Sequence, residues 1–196
     1  MSLAPLILVV GPSGAGKDAL IDGARRRLAA EGRFHFVRRV LTRPASAGGE
    51  DHISVSPAEF HRTEAAGGFL LSWRAHGLAY GIPRAVEAFR RDGVAVVANV
   101  SRSVVGPARL NLAPIGVVVV TARPAVLAAR LAGRGRETAE DIHHRLHRAT
   151  PALPASGEVY TVANDFALED GIERFVAALV ALNRASSNHP DPTGSR

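Results

Sequence analysis

The sequence predicts an α/β fold with a central, mainly parallel sheet flanked by helices. Three observations predict it. A continuous apolar run, APLILVV at 4–10, leads into the glycine-rich stretch GPSGAGKD at 11–18. That stretch opens a segment with helical spacing, in which Leu20, Ala24 and Leu28 fall on one stripe. Further apolar runs, VAVVA at 94–98 and IGVVVV at 115–120, recur between helical segments. Such alternation belongs to sheets covered on both faces.

The run at 4–10 shows no polar alternation, as expected of a strand buried on both sides. The helix that follows is read over about 17–30, with Gly32 at its end. Residues 33–82 break the rhythm. They hold a basic strand (FHFVRRV), a glycine-rich turn (ASAGGEDH), a short helix and the stretch FLLSWRAHGLAYGIP. The short helix opens on Ser56-Pro57-Ala58-Glu59, a capping box with proline at the first helical position. The segment reads as an inserted acceptor-binding subdomain over the mouth of the sheet. Helices are then expected near 83–91, 124–132, 139–148 and 168–184, with a further strand at 158–163. A chain of 196 residues suits one domain, 1–184, followed by a polar Pro/Gly/Ser-rich tail at 185–196 that reads as disordered.

Composition narrows the classes. A hydrophobic content of 46% is enough for a core, and zero cysteines exclude disulfides and thiolate metal sites. No apolar run approaches the ~18 residues of a membrane span. The N-terminal run reads as a strand and not as a signal peptide, so a cytoplasmic protein without a membrane partner is expected. A homodimer stays open. The net charge of +6 raises nucleic acid as a partner, but the arginines are spread along the chain with no aromatic stacking motif among them. Nucleic-acid binding is therefore not expected. Of the 24 basic residues, one is a lysine, Lys17. Arginine is a wide planar fork, whereas lysine is a slim point charge that fits between phosphates. The single lysine stands where phosphate-loop chemistry requires that shape.

GPSGAGKD follows the pattern G-x-x-x-x-G-K-[ST] up to its last position. Backbone N–H groups of such a loop cradle phosphates, and the lysine bridges them. Gly11, Pro12, Ser13, Gly14, Ala15, Gly16, Lys17 and Asp18 are thus the candidate ATP site. Asp18 replaces the hydroxyl that normally holds Mg²⁺. It either supplies charge to Mg²⁺, directly or through water, or stabilises the helix dipole by about 0.3–1 kcal/mol. Residues 133–148 read as a lid: Gly133 and Gly135 alternate with Arg134 and Arg136, and Arg145 follows on the next helix. Lys17, Arg134, Arg136 and Arg145 are the candidate catalytic cations, since phosphoryl transfer is mostly positioning and charge stabilisation. The inserted region offers Arg38, Arg39, Arg43, His52, Arg74, His76 and Tyr80 to a strongly negative acceptor. Strand alternation sends Arg38 and Arg39 to opposite faces, so one of them is a surface residue. His143, His144 and His147 lie at helical spacing but lack a paired carboxylate, and read as an exposed face. Trp73 reads as core. The residues alone define a kinase for a small phosphorylated acceptor.

The blocks GPSGAGKD, LTRP…GGEDHISVSPAEF, FLLSWRAHGLAYGIP and RLAGRGRETAEDIHHRL resemble the guanylate-kinase-like P-loop kinases over about 5–182. The resemblance implies a P-loop kinase fold with an acceptor subdomain and a lid. Ser72 stands where guanylate kinases carry a guanine-reading acid, and Asn99 replaces an aspartate at the end of a later strand. His52 stands for a phosphate-reading tyrosine. These departures resemble a second branch, the ribose 1,5-bisphosphate phosphokinases, which share GKD, TRP…GGEDH, SW-x-AHGL-x-YGIP and N-x-SR, the last at Asn99, Ser101 and Arg102. That branch implies ATP and Mg²⁺ as cofactors and a small phosphorylated sugar as partner. It implies formation of 5-phosphoribosyl 1-diphosphate in phosphonate breakdown, with Arg39, Arg43, His52, Ser72, Arg74, Tyr80 and Asn99 on the acceptor. The alternatives are a guanylate kinase, another small-molecule kinase, and an inactive guanylate-kinase-like binding module.

Overall fold

In the computed structural model, which describes residues 3–44, 51–132 and 157–187, the first apolar run forms β1 (Leu6–Val10), buried along its whole length. β1 is the middle of a five-stranded, all-parallel sheet. Its order is β2 (Phe34–Phe36), β7 (Ala95–Asn99), β1, β8 (Ile115–Thr121) and β9 (Val159–Ala163). The run carries no polar alternation because both faces are covered. Ile7 and Val9 pack with Leu20 and Ala24 of α1 (Lys17–Leu28) and with Phe175 and Leu179 of the last helix. Leu6, Leu8 and Val10 face the opposite layer, with Val105, Ala108, Trp73 and Ile82.

A second, four-stranded sheet is ordered β4 (His52–Ser54), β3 (Arg39–Leu41), β6 (Leu78–Pro83) and β5 (Phe69–Ala75). Between β4 and β5 lies α2 (Pro57–Ala65), with its capping box formed as the sequence predicts: the Glu59 amide donates to Ser56 Oγ at 3.2 Å, and the Ser56 amide to Glu59 Oε2 at 2.8 Å. Phe60 of α2 packs on Val40, Phe69 and Ala79, anchoring the helix to one face of this sheet.

The structure departs from the expected elements in three places. FHFVRRV, read as one strand of the inserted region, is divided between the sheets: Phe34–Phe36 pairs with β7, and Arg39–Leu41 pairs with β4 and β6. Phe34 and Phe36 pack against the core beneath α1, which ties this end to the central sheet. A helix not expected from the sequence, α4 (Val105–Asn111), follows a 3-10 turn at Arg102–Val104. Gly106 and Pro107 conceal it, yet proline is tolerated in a first turn, and Val104, Val105 and Ala108 bury the helix against the sheet. The last helix, Leu168–Ser187, runs past the expected end at 184. Ser186 Oγ donates back to the Leu182 carbonyl at 3.1 Å, so the first part of the stretch read as tail is helical. The other expected helices appear as Arg84–Val86 leading into α3 (Glu87–Arg91), and as α5 (Pro124–Ala132). The lid 133–148, with its helix at 139–148, and the remaining tail lie outside the described residues. Among the described residues no helix is long and apolar enough to cross a membrane.

Arg90, at the end of α3, is 1% exposed and ties three chain segments together. Its guanidinium donates to the carbonyls of Ala4 at 2.9 Å, Leu112 at 2.8 Å and Pro114 at 3.4 Å. These carbonyls flank the starts of β1 and β8. Replacing Arg90 with Met takes the donor from the half-buried Ala4 and Leu112 carbonyls, while Pro114 keeps the Leu6 amide at 3.0 Å, so a loss of about 2–4 kcal/mol is expected. A urea unfolding curve reads this as a lower midpoint at unchanged slope.

Candidate active site

The site lies at the carboxyl ends of β1 and β7, where parallel pairing sets Val9 beside Asn99. In open parallel sheets ligands bind at such ends, where strand order reverses. The chain leaves β1 through the glycine-rich loop and enters α1 at Lys17. Gly11 passes so close to β8 that a Cβ there would sit 2.2 Å from the Val120 carbonyl oxygen. Gly16, at φ 87°, caps the helix in the left-handed region that favours glycine. Lys17 Nζ donates to the carbonyls of Gly11 at 2.8 Å and Pro12 at 3.0 Å, folding the lysine over its own loop. The loop and the start of α1 wall one side of a cleft of about 400 Å³. Ala15, alone of the eight motif residues, does not line it: its side chain is buried.

The opposite wall comes from both sheets. Asn99, the last residue of β7, is 9% exposed, and its Nδ2 donates to Asp18 Oδ1 at 2.8 Å. Arg39, at the start of β3, donates through Nη1 to the Asn99 carbonyl at 3.2 Å, and its guanidinium lies 5.4 Å from the Tyr80 ring centre. Tyr80 stacks on Trp73 at 5.2 Å with the rings nearly parallel at 6°. His76 and Gly77 form the tip of the β5–β6 hairpin, His76 at φ 52°, and His76 lines the cleft. Ser101 and Arg102, just beyond β7, complete the lining. Burial pushes the Arg102 guanidinium below its ordinary pKa, but an arginine stays charged. The cleft thus combines a phosphate loop, one ordered carboxylate and two arginines.

Not every candidate gathers there. Ser72 and Arg74 flank Trp73 on β5 and point to the other face, because successive strand side chains alternate. Arg74 pairs with Glu64 of α2 at 3.1 and 2.6 Å and lies 4.9 Å from the Phe60 ring centre. The Arg74 guanidinium, and after it the Ser72 hydroxyl, hold the Glu64 carboxyl below its ordinary pKa. Both residues are engaged with α2, away from the cleft. His52 is buried in β4 with Nε2 3.2 Å from the Arg43 carbonyl, and neither His52 nor Arg43 lines the cleft. Arg38 pairs with Asp51 at the surface. Arg134, Arg136 and Arg145 lie outside the described residues, as do the three clustered histidines. Among the described residues no group of three or more His, Asp or Glu gathers that could hold a metal ion. Asp18 is, among the described residues, the acidic side chain lining the cleft. His76, grouped from the sequence with the acceptor candidates, lines the cleft, and Trp73, read there as core alone, both packs in the core and lines the cleft. The signal for Arg102 was the N-x-S-R that ends an apolar strand.

The arrangement is that of a P-loop kinase of guanylate-kinase-like fold. A guanylate kinase from Anaplasma phagocytophilum superposes with a TM-score of 0.65 over 93% of this chain and 88% of that one, at 19% identity. No family model matches the sequence. A ribose 1,5-bisphosphate phosphokinase PhnN of Agrobacterium fabrum is 49% identical over 185 residues, which are 94% of this chain and 100% of that protein. The chain belongs to the ribose 1,5-bisphosphate phosphokinase family. It is also 50% identical over 173 residues to a bifunctional ribose 1,5-bisphosphokinase-thymidine phosphorylase of Azorhizobium caulinodans, spanning 25% of that longer protein.

Trp73 is the only tryptophan of the chain and lines the cleft. Its emission is expected to change saturably when ATP is titrated in. Arg39→Ala should shift the corresponding titration with a sugar bisphosphate to higher concentration, whereas Arg74→Ala should leave it unchanged. An equal effect of both variants would contradict the placement of Arg74 outside the cleft.

Proposed function

We propose that the chain transfers the γ-phosphoryl group of ATP to the 1-phosphate of ribose 1,5-bisphosphate, giving 5-phosphoribosyl 1-diphosphate and ADP. The observation that carries this reading is one cleft that joins a phosphate loop to Arg39, Tyr80 and Arg102, in which, among the described residues, the lining acid is Asp18 of the loop itself. The relatives named for this reaction support it. An oxygen of the 1-phosphate attacks the γ-phosphorus, the bond to the β–γ bridging oxygen breaks, and ADP leaves. The nucleophile is already ionised, so no general base is required.

Lys17 is proposed to leave its loop carbonyls for the β- and γ-phosphates, as a compact cation can do where a guanidinium cannot. Asp18 is proposed to hold Mg²⁺ together with phosphate oxygens. The donor set fits, because this ion takes one or two carboxylates and completes its shell with phosphate and water. Asn99 occupies one carboxylate oxygen of Asp18, orienting the group toward the cleft. Bound there, the ion would neutralise charge between the phosphates. Arg39 and Arg102 are proposed to bind the acceptor's anionic groups, and Arg134, Arg136 and Arg145 to bring further positive charge to the transferring phosphoryl group. Use of ATP fits a cytoplasmic reaction within phosphonate breakdown.

An acceptor panel tests this most directly. ADP release with MgATP should be rapid with ribose 1,5-bisphosphate and close to background with GMP, AMP or gluconate. Phosphorus NMR should show a diphosphate at the anomeric carbon. Ribose 1-phosphate should remain an acceptor with much reduced kcat/KM, having lost remote binding energy. GDP as the preferred product would return the chain to the guanylate kinases.

The role of Asp18 separates on metal dependence. Asp18→Asn should raise the magnesium concentration needed for half-maximal rate by about tenfold or more, the effect of losing a ligand charge. Unchanged magnesium dependence with a small stability loss would leave Asp18 as a helix-dipole residue.

A further inference from the structure

Behind the phosphate loop, away from the cleft, stands an asparagine that neither wall of the cleft uses. Asn164 follows β9 directly, and its amide N–H donates to the Thr121 carbonyl at 2.8 Å, locking its backbone to the end of β8. The side chain is 2% exposed. Its Nδ2 donates to the carbonyl of Ala15, in the middle of the loop, at 2.8 Å. Arg130, near the end of α5, reaches the same carbonyl through Nη1 at 3.5 Å, a longer and weaker contact.

Room for this amide has been made on two sides. A Cβ on Gly16 would lie 2.4 Å from Asn164 Nδ2, and one on Gly171, in the first turn of the last helix, 2.7 Å from Asn164 Oδ1. That Oδ1 is buried and takes no hydrogen bond among the described residues. An unpaired buried acceptor lowers stability, and an apolar residue of the same shape would remove the penalty. Retention of an amide here therefore points to its donor end. A peptide unit is planar and trans, so the Ala15 carbonyl and the Gly16 N–H point in opposite directions. Drawing the carbonyl back toward Asn164 turns the Gly16 N–H outward, to the side on which Gly16 lines the cleft. Outward N–H groups at a helix start form an anion-binding concavity.

We propose that Asn164, assisted by Arg130, is a positioning residue for phosphate binding: it holds the Ala15–Gly16 peptide in the orientation that presents the Gly16 N–H to a polyphosphate. This rests on the reading of the loop as the donor-phosphate site. The role predicts a split between stability and affinity. Asn164→Leu keeps the shape and removes both the donor and the unpaired oxygen. Its thermal midpoint without ligand should fall by no more than a few degrees, because loss of the unpaired Oδ1 offsets part of the cost of leaving the Ala15 carbonyl to Arg130 alone. Its affinity for ADP and for inorganic tripolyphosphate, measured by calorimetry, should fall about tenfold (roughly 1.4 kcal/mol), with KM for ATP rising more than kcat falls. A purely structural asparagine gives the reverse, a lower midpoint at unchanged tripolyphosphate affinity, and that result overturns the proposal. If Asn164→Leu does not fold, Arg130→Met decides: a threefold or larger loss of tripolyphosphate affinity supports the proposal, and a smaller change overturns it. Failure of the wild-type protein to bind tripolyphosphate or ADP would instead sink the donor-site reading, whereas normal wild-type binding with indifferent variants would sink the positioning role alone.

Discussion

The parallel pairing of β1 with β7 is the constraint on which the cleft depends. It sets Val9 beside Asn99, so the loop leaving one strand faces the residue ending the other. From that juxtaposition follows the hydrogen bond from Asn99 to Asp18. Arg39 then joins through the Asn99 carbonyl, which links the small sheet to the loop by way of β7. One residue at a strand end thereby touches both the loop carboxylate and the cation of the opposite wall. The motif's altered last position makes sense in this setting. A hydroxyl at 18 offers one oxygen, whereas the carboxylate offers two, of which one takes the Asn99 hydrogen bond.

The arginines show how burial assigns different work to one residue type. Arg90 is enclosed and serves three carbonyls, a purely architectural use of a five-donor fork. Arg74 lies on the outer face of β5 and pairs with Glu64, a surface contact of the kind worth about 0–1 kcal/mol. Arg39 and Arg102 face the cleft, where partial exclusion of water makes a cation's field stronger than at the open surface. Lys17 stands apart in chemistry as it does in number, because its compact ammonium can fold onto the loop or extend into a phosphate.

Family membership and the cleft meet at the residues that have changed. Guanylate kinases are the structural likeness at 19% identity, which concerns the fold, while the relatives near 49% carry the phosphokinase name. Asn99, standing where the resemblance places an acid, has turned toward the loop. Ser72, at the other such position, bonds to Glu64 and not to the cleft. Neither contributes a negative charge to the cleft wall.

What the sequence determined by itself is what short-range chemistry dictates. The buried strands, the phosphate loop and the capped helix at Pro57–Ala65 were legible because unbroken apolar runs, glycine spacing and a capping box act over a few residues. The family was legible for the same reason, in blocks of contiguous letters. Tertiary structure decided what depends on partners far along the chain. FHFVRRV was divided between two sheets because Phe34 and Phe36 found the core under α1. Gly106 and Pro107 were drawn into a helix by burial of their neighbours. Alternation along β5 was visible, but which face met the cleft was set by the pairing of Trp73 with Tyr80, and this gave Ser72 and Arg74 to α2. Asn164 had no local signal at all. Its contact with Ala15 spans 149 positions, and only the packing of β9 beside β8 brings the two together.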